Sequence, residues 1–194
     1  IGAAIGGYFV FTDGFTIAVI LGFAILSIYF YSTKIVDSGL GEFFVAVKGS
    51  MIVIGTVFIQ SGEITFESIL AGIIVGSLSS LVLFIASFPD HDADKSKGRK
   101  TLVIVVGKQN AVKLFWIFPL ISYCAILIGV ALELFPIISL ISFVGIPLMI
   151  KSGFGLMKNY DSVDELFPYM SSTLMFSRIT GILFVISFLI PLLQ

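Results

Sequence analysis

The residues from Asp90 to Thr101 carry the clearest chemistry in the sequence. Three carboxylates stand beside four cationic side chains in this stretch, which ends on a hydroxyl. If the preceding helix continues for one more turn, Asp90 and Asp94 lie at i and i+4 on one face, about 6 Å apart along the axis, whereas Asp92 points away. This spacing suits Mg²⁺, which commonly binds one or two carboxylates together with substrate phosphates.

The cations that follow could hold the phosphate oxygens that a metal leaves free. Arg99 can make a bidentate contact, while Lys97 and Lys100 would act as point charges. Gly98 supplies the flexibility that a tight turn requires. A mixed-charge loop that only solvates the surface is the commoner explanation of an isolated Asp-x-x-x-Asp pattern. The position after a long apolar run, beside a basic cluster, favours the phosphate site.

For three other residues of this stretch, the sequence gives less specific predictions. We expect Asp92 to be a solvated partner of Lys95 rather than a third metal ligand. His91 is the only histidine, and a single loop histidine is expected to be a solvated side chain. Thr101 could cap the next helix or contact phosphate, and the sequence does not choose between them.

The rest of the chain has the composition of a membrane protein. Of its 194 residues 58% are hydrophobic and 12% charged, with a mean hydropathy of +1.13, whereas soluble domains carry about 25% charged residues. A spanning helix needs roughly 20 apolar residues, which predicts an all-α, polytopic transmembrane helical bundle in a single domain, residues 1–194. About six full spans are expected, near 15–31, 42–59, 68–88, 111–131, 135–150 and 166–193, after a partial N-terminal helix over 1–11.

The distribution of Lys and Arg predicts the topology, because basic residues concentrate in cytoplasmic loops. Six cations lie in or beside the long polar loop: Lys95, Lys97, Arg99, Lys100, Lys108 and Lys113. This loop is therefore expected to be cytoplasmic in a protein of the plasma membrane. Alternation places the loops of Lys34 and of 151–158 on the same side, and the loops of Asp13, Glu63 and Glu133, which contain no Lys or Arg, on the other.

Two further features limit what the chain could bind. The formal net charge of -1 gives no electrostatic argument for nucleic acid, so none is expected as a partner. The single cysteine, Cys124, excludes an internal disulfide and a multi-cysteine metal site, and is expected in packing or facing lipid. Gly72 and Gly76 form a small-xxx-small pair, for which close helix packing is the expected role.

Two separated motifs resemble a known family. Asp90-x-x-x-Asp94-x-x-x-Gly98-x-x-Thr101, followed by a Val-rich, strand-like segment over 102–107, resembles the second aspartate-rich motif of the UbiA superfamily of intramembrane prenyltransferases. The sequence Phe88-Pro-Asp-x-Asp-Ala-Asp-Lys is similar to the corresponding motif of the branch that prenylates 1,4-dihydroxy-2-naphthoate in menaquinone synthesis. So is Ser38-Gly-Leu-Gly-Glu42, ahead of a helix that ends in Ile59-Gln60-Ser-Gly62. The resemblance covers the C-terminal two-thirds of such an enzyme.

The resemblance implies Mg²⁺-dependent transfer of a polyprenyl group from polyprenyl diphosphate to an aromatic acceptor, with 1,4-dihydroxy-2-naphthoate expected. By motif matching, Asp90 and Asp94 would be the catalytic metal ligands. Lys97, Arg99 and Lys100 would contact the diphosphate.

Several residues in or near the spans remain candidates. Lys48 could snorkel to the interface or face the diphosphate, with neither favoured. Glu42 could bind the acceptor or pair with Lys48. Tyr31 and Lys34 occupy the region where superfamily members place polar substrate contacts, which implies acceptor binding, although their loop is shorter than in the naphthoate branch. Arg178 is expected to hydrogen-bond between helices.

The superfamily's first aspartate-rich motif, Asn-Asp-x-x-Asp-x-x-x-Asp, has no counterpart from Ile1 onward. Because the chain does not begin with Met, we expect its first helices, with half of the magnesium site, to lie upstream. Alternatives are a non-catalytic accessory membrane subunit derived from a prenyltransferase and a UbiA-type enzyme with another acceptor. A CDP-alcohol phosphatidyltransferase is disfavoured, because Asp13-Gly14 lacks the Arg that the motif of that family requires.

Overall fold

The computed structural model describes residues 2–30 and 38–190, and every regular element within them is helical. The helices are α1 Gly2–Asp13, α2 Phe15–Phe30, α3 Gly41–Ser61, α4 Phe66–Ala86, α5 His91–Ser96, α6 Leu102–Val106, α7 Lys108–Leu114, α8 Ile117–Ala131, a 3-10 helix Ile137–Gly145, α9 Ile146–Asn159 and α10 Val163–Leu189. The expected all-α bundle is confirmed. The strand-like expectation for 102–107 is wrong, because this segment forms α6.

Five helical stretches are long and apolar enough to cross a bilayer. They are α3, α4, α7 with α8, the 3-10 helix with α9, and α10. At 1.5 Å per residue the 21 residues of α3 or α4 reach about 31 Å, close to the thickness of the hydrocarbon core. Six full spans were expected. The apolar α2, with 16 residues, falls at the first of them, near 15–31, and is shorter than the other five. Helix α1 corresponds to the expected partial N-terminal helix. The protein is therefore an integral membrane protein.

Helix α4 is the centre of the bundle, packing against α3, α8 and α10. Its contact with α3 is very close, because a Cβ on Gly76 would overlap the carbonyl oxygen of Ala46, and one on Gly72 would lie 3.0 Å from the carbonyl oxygen of Ser50. The Ser50 hydroxyl also donates to the Gly72 carbonyl at 2.9 Å. The predicted packing role of the glycine pair is confirmed, and its partner is α3.

Aromatic and serine contacts hold α4 on its other side. The ring of Phe84 lies 5.2 Å from that of Phe118 on α8. The hydroxyl of Ser77 donates to the Phe118 carbonyl at 2.6 Å, and Ser177 on α10 donates to the Leu78 carbonyl at 3.5 Å. In lipid, such hydrogen bonds and close packing drive helix association. These contacts fix the position of α4, and the charged loop begins just after the C-terminal end of this helix.

A tight connection joins α3 and α4 into an antiparallel pair. Gly62 ends α3 with a φ of 76° and donates its N–H to the Phe58 carbonyl at 2.8 Å. Thr65 then caps α4, accepting from the Ser68 N–H at 3.3 Å. Because the two helices run in opposite directions, the start of α3 and the end of α4 lie at one end of the bundle. Glu42 and the charged loop are therefore on the same side of the membrane.

Candidate functional site

The two predicted metal ligands belong to α5, which is a separate short helix. A turn over residues 87–90 separates it from α4, so the expected continuation of the preceding helix is wrong. The spacing nevertheless survives, because Asp90 is the N-cap of α5 and its carbonyl accepts from the Asp94 N–H at 2.8 Å. Asp90 and Asp94 are thus one helical turn apart.

Asp94 forms an ion pair with Arg99, the cation most strongly expected to contact the diphosphate. Arg99 Nη1 donates to Asp94 Oδ1 at 3.0 Å, and the Arg99 N–H donates to the Asp94 carbonyl at 3.0 Å. Gly98 makes this reversal with a φ of 77°, a conformation that glycine adopts without strain. The Asp94 side chain is 13% exposed and that of Arg99 50%. Half of the guanidinium side chain therefore remains available to solvent or to an anion.

Asp92 and His91 differ from expectation. Asp92 Oδ1 lies 2.7 Å from His91 Nδ1, so its partner is His91 and not Lys95. The His91 side chain is only 13% exposed, whereas that of Asp92 is 86% exposed. The hydrogen bond from His91, assisted by the charge of Lys108, lowers the pKa of Asp92 below its ordinary value. Asp92 is well solvated as expected, but the expectation of a solvated His91 is wrong.

The donor set fits a metal that is shared with a phosphorylated substrate. Asp90 is exposed and makes no side-chain hydrogen bond or ion pair with any described residue, so its oxygens are available. Within the described ranges no group of three His, Cys, Asp or Glu side chains could hold a metal ion. Mg²⁺ typically needs only one or two carboxylates when phosphates and water complete its shell. Asp90 and Asp94 match that requirement.

The other predicted diphosphate cations are solvent-facing. Lys97 and Lys100 are exposed and form no ion pair with a described residue. Thr101 Oγ1 accepts from the Ile104 N–H at 3.4 Å and caps α6. Of the two roles that the sequence left open for Thr101, the structure shows the cap.

The two motifs of the sequence meet at the start of α3. A Cβ placed on Gly39 would lie 3.0 Å from Val105 Cγ2 and 3.5 Å from the Lys100 carbonyl oxygen. Gly39 is buried, with a φ of 76°. The Gly-Leu-Gly-Glu segment therefore rests against the chain that immediately follows Arg99, which places Glu42 beside the charged loop.

Glu42 lines a cavity of about 470 Å³ between α3, α4 and α8. Its walls are mostly apolar and come from three parts of the chain: Phe43, Ala46, Val47, Ser50, Met51 and Ile54 on α3, Ile73 and Ser77 on α4, and Leu102, Leu114, Ile117, Phe118 and Ile121 further along. Pockets for small molecules commonly have this size and an apolar lining. The cavity begins beside the loop and continues into the membrane-spanning region.

Glu42 itself is 4% exposed. Its backbone carbonyl accepts from the Ser80 hydroxyl at 2.6 Å, which anchors the start of α3 to α4. Its carboxylate oxygen Oε2 is buried and has no hydrogen-bond partner in the described part of the chain. The pairing with Lys48, one of the two roles left open, is not present.

The remaining candidate residues lie apart from this cavity or outside the described structure. Lys48 is exposed on α3 and does not line the cavity. Arg178 is exposed on α10 and makes no hydrogen bond or ion pair with a described residue, so the expected interhelical bond is not seen. Tyr31 and Lys34 fall outside the described residues. Cys124 is exposed, as a lipid-facing side chain would be.

The serines of α4 were missed as determinants of the site. Ser80 holds the Glu42 backbone, and Ser77 contributes to the cavity wall while binding α8. Their signal in the sequence is the pair of hydroxyls three positions apart within an otherwise apolar span. Hydroxyls at that spacing share one side of a helix.

Comparison with known proteins identifies related sequences. The profile of the UbiA prenyltransferase family matches residues 1–190. The chain is 30% identical to 1,4-dihydroxy-2-naphthoate octaprenyltransferase of Escherichia coli (strain K12), over 76% of the chain and 48% of that protein. It is 37% identical to the protein of the same name of Bacillus subtilis (strain 168), over 38% of the chain and 24% of that protein.

The chain thus spans about half the length of the first of these relatives and a quarter of the second. No solved structure gives a significant match. The family match nevertheless extends through α1 to α10 and includes both the charged loop and the Glu42 segment. Because this match covers 1–190 of the 194 residues, the chain belongs to the UbiA prenyltransferase family.

Proposed function

We propose that the protein transfers a polyprenyl group from polyprenyl diphosphate to an aromatic acceptor, with 1,4-dihydroxy-2-naphthoate as the acceptor and menaquinone biosynthesis as its context. The single observation that carries the proposal is the meeting of two parts: the Asp90–Arg99 loop and the cavity at Glu42. A phosphate-binding loop and an apolar pocket side by side match a substrate with a charged head and a hydrophobic partner. The names of the two relatives supply the acceptor.

In this proposal the loop receives the diphosphate. Asp90 and Asp94 would hold Mg²⁺ together with phosphate oxygens, and the bound ion would neutralise the charge that develops on the departing diphosphate. Arg99 would exchange part of its contact with Asp94 for a bidentate grip on the diphosphate. Lys97 and Lys100 would add charge from the same loop, and Lys48 would approach only from outside the cavity.

The apolar surroundings of the loop would protect the electrophile, which is the allylic cation left when the diphosphate departs. An allylic cation is quenched by water, so a water-poor site protects it until the ring attacks. The ring then regains its aromaticity by losing the group at the attacked carbon, a proton or, at a carboxylated position, carbon dioxide. Glu42, together with Tyr31 and Lys34, is assigned to the acceptor. The excess of cations near the loop supports a cytoplasmic position for it, in a protein of the plasma membrane.

The test is a transfer assay in membranes from cells that express the gene encoding this chain. A panel of polyprenyl diphosphates would be combined with 1,4-dihydroxy-2-naphthoate and other aromatic acceptors, each with Mg²⁺ and with a chelator. The expected result is a prenylated lipid that forms with the naphthoate only when the divalent ion is present.

Two other results would correct the proposal. Product with a different acceptor only would remove the naphthoate assignment and retain the enzyme. No product with any pair of substrates, in membranes shown to contain the protein, would favour a non-catalytic accessory subunit.

A further inference from the structure

Arg178 is a charged residue near the middle of α10, the last of the membrane-spanning helices described above. This helix runs from Val163 to Leu189 and has Glu165 in its first turn. At 1.5 Å per residue, Arg178 lies about 20 Å beyond Glu165 and about 17 Å before Leu189. Because the hydrocarbon core is about 30 Å thick, Arg178 is close to its centre. It is too far from both helix ends for its side chain to reach a membrane surface, as arginines near helix ends do.

The Arg178 side chain faces away from the bundle. Helix α10 packs on α9, the 3-10 helix and α4, and its packed face contains Phe176 and Thr180, both 0% exposed. Arg178 is two positions from each of them, about 200° around the helix. It is exposed, forms no hydrogen bond or ion pair with a described residue, and does not line the cavity at Glu42. An isolated charge at this depth is costly, and such residues almost always pair with an opposite charge or a carbonyl.

Arg178 belongs to a row of residues on α10 that are spaced alternately three and four positions apart. We call this set the Arg178 row: Ser171, Leu174, Arg178, Gly181 and Val185. Leu174 is 37% and Val185 59% exposed, and a Cβ on Gly181 would meet no atom within 4 Å. This spacing is that of a seam between two helices, in which a single polar residue fixes the register. The small Ser171 and Gly181 allow a second helix to approach closely.

A second copy of this chain does not supply the partner that Arg178 lacks. Two copies that met through the Arg178 row would place their guanidinium groups against each other, because Arg178 lies at the same depth in both. The other faces offer no carboxylate at that depth among the described residues. Each Asp or Glu in 2–30 and 38–190 lies in a connecting segment or in the first or last turn of a helix. The charge therefore indicates a different membrane helix.

We propose that the Arg178 row is the interface for a transmembrane helix of another protein, which places a carboxylate opposite Arg178 in the middle of the bilayer. The ion pair neutralises both charges in a medium of low dielectric constant, where their attraction is strong. The row sets the depth and the rotation of the partner helix. This interface is separate from the Asp90–Arg99 loop and from the cavity at Glu42, and it does not depend on the proposed function.

The experiment uses model helices in place of the partner. The protein is reconstituted in liposomes with synthetic transmembrane helices of leucine and alanine that differ only in the central residue, which is Glu, Gln or Leu. A photoreactive amino acid incorporated at Val185 captures the bound helix, and capture is measured as the mole fraction of helix in the lipid increases. Wild type should be half-saturated by the Glu helix at a mole fraction at least about tenfold lower than by the Leu helix, with the Gln helix between them.

Substitutions of Arg178 then test the pairing. Arg178→Leu should capture the Glu and Leu helices equally. Arg178→Glu should reverse the preference, favouring a helix with a central Arg over the Glu helix. The matched control is Lys48→Leu, which removes an exposed cation from another membrane-spanning helix, α3. This variant should keep the preference of the wild type.

Three further readouts separate binding at the Arg178 row from non-specific association and from loss of the fold. With the photoreactive amino acid at Leu120, which is 63% exposed on α8, capture should be weak and equal for all helices. Gly181→Leu should weaken capture of every helix, because it blocks the close approach. Arg178→Leu should keep or raise the melting temperature in detergent, since it removes an unpaired charge; a structural role within this chain would lower it.

Equal capture of the Glu and Leu helices by wild type would overturn the proposal, and so would a preference that persists in Arg178→Leu. Equal affinity for the Glu and Gln helices would show that a neutral acceptor suffices and would overturn the carboxylate partner. Crosslinks from Val185 within the same polypeptide, or between two copies, in place of helix capture would assign the row to the protein itself and overturn the separate partner.

Discussion

The acidic side chains at the two edges of the candidate site are treated differently by the fold. Asp90 and Asp92 are exposed to solvent, and Asp94 is paired with Arg99 at 3.0 Å. Glu42 is 4% exposed and keeps one oxygen unpartnered. Exposed charges cost little to maintain, whereas a buried unpaired oxygen is held at a cost that packing must offset. In the proposed function the loop would be completed by its substrate, whereas the helices already form the walls of the cavity.

The first prediction removes the loop carboxylates. Asp90→Ala and Asp94→Ala should each lower prenyl transfer by at least about 10²-fold, because charge stabilisation at the leaving group is lost. Asp92→Ala is the matched control and should be milder, since Asp92 is 86% exposed and bound to His91. Transfer assays and melting temperatures would be measured together. Full activity in both of the first two variants would refute the metal assignment.

The second prediction disturbs the cavity through the α3–α4 contact. Gly76→Ala puts a methyl group against the Ala46 carbonyl, and overpacking of this kind costs about 1–3 kcal/mol. Thermal unfolding in detergent should show the loss. Gly181→Ala on α10, where a Cβ meets no atom within 4 Å, should be neutral or slightly stabilising. Equal melting temperatures for the two variants would contradict the close contact.

The third prediction separates binding from stability in the loop. Arg99→Gln should raise the KM for polyprenyl diphosphate by about tenfold, the loss expected for a charge-assisted hydrogen bond. The melting temperature should change little, because a partly exposed ion pair contributes only about 0–1 kcal/mol. Lys95→Gln, which removes an exposed cation on α5, serves as the control. A stability loss without a change in KM would make Arg99 structural.

The smallest expected effect concerns the pKa of Asp92. His91 holds this pKa below its ordinary value, so the stabilisation is fully present above the pKa of an unfolded Asp, about 3.9, and is lost as pH falls through the lower folded value. His91→Ala should raise the pKa of Asp92 toward the ordinary value. Carboxyl ¹³C NMR of labelled aspartate would measure it, and an unchanged titration would disprove the His91 contact.

The sequence predicted the bundle well because the features that define it are local. Apolar runs of the right length and basic loops can be read without knowing which helices meet. One local error was 102–107: its β-branched residues favour a strand, but the Thr101 cap and the backbone bonds of Ile104 and Val105 to Thr101 start a helix.

The parts of the site that depend on tertiary contacts could not be predicted in the same way. The glycine pair on α4 was recognised, but nothing local identified Ala46 and Ser50 as its partners. The burial of Glu42 arises because Ser80, far along the chain, binds its carbonyl. The contact of Gly39 with the chain at Lys100 and Val105 has the same origin. Such pairings appear only when helices distant in sequence are brought together.

The cavity at Glu42 opens between three exposed lining side chains, Phe43, Ile117 and Ile121, and this opening has a consequence for kinetics. A ligand that enters from lipid is governed by its mole fraction in the bilayer and not by its concentration in the buffer. Adding inert lipid at a fixed total amount of acceptor should therefore raise the apparent KM by surface dilution. Inhibitors of this site would similarly gain potency from their partition coefficient.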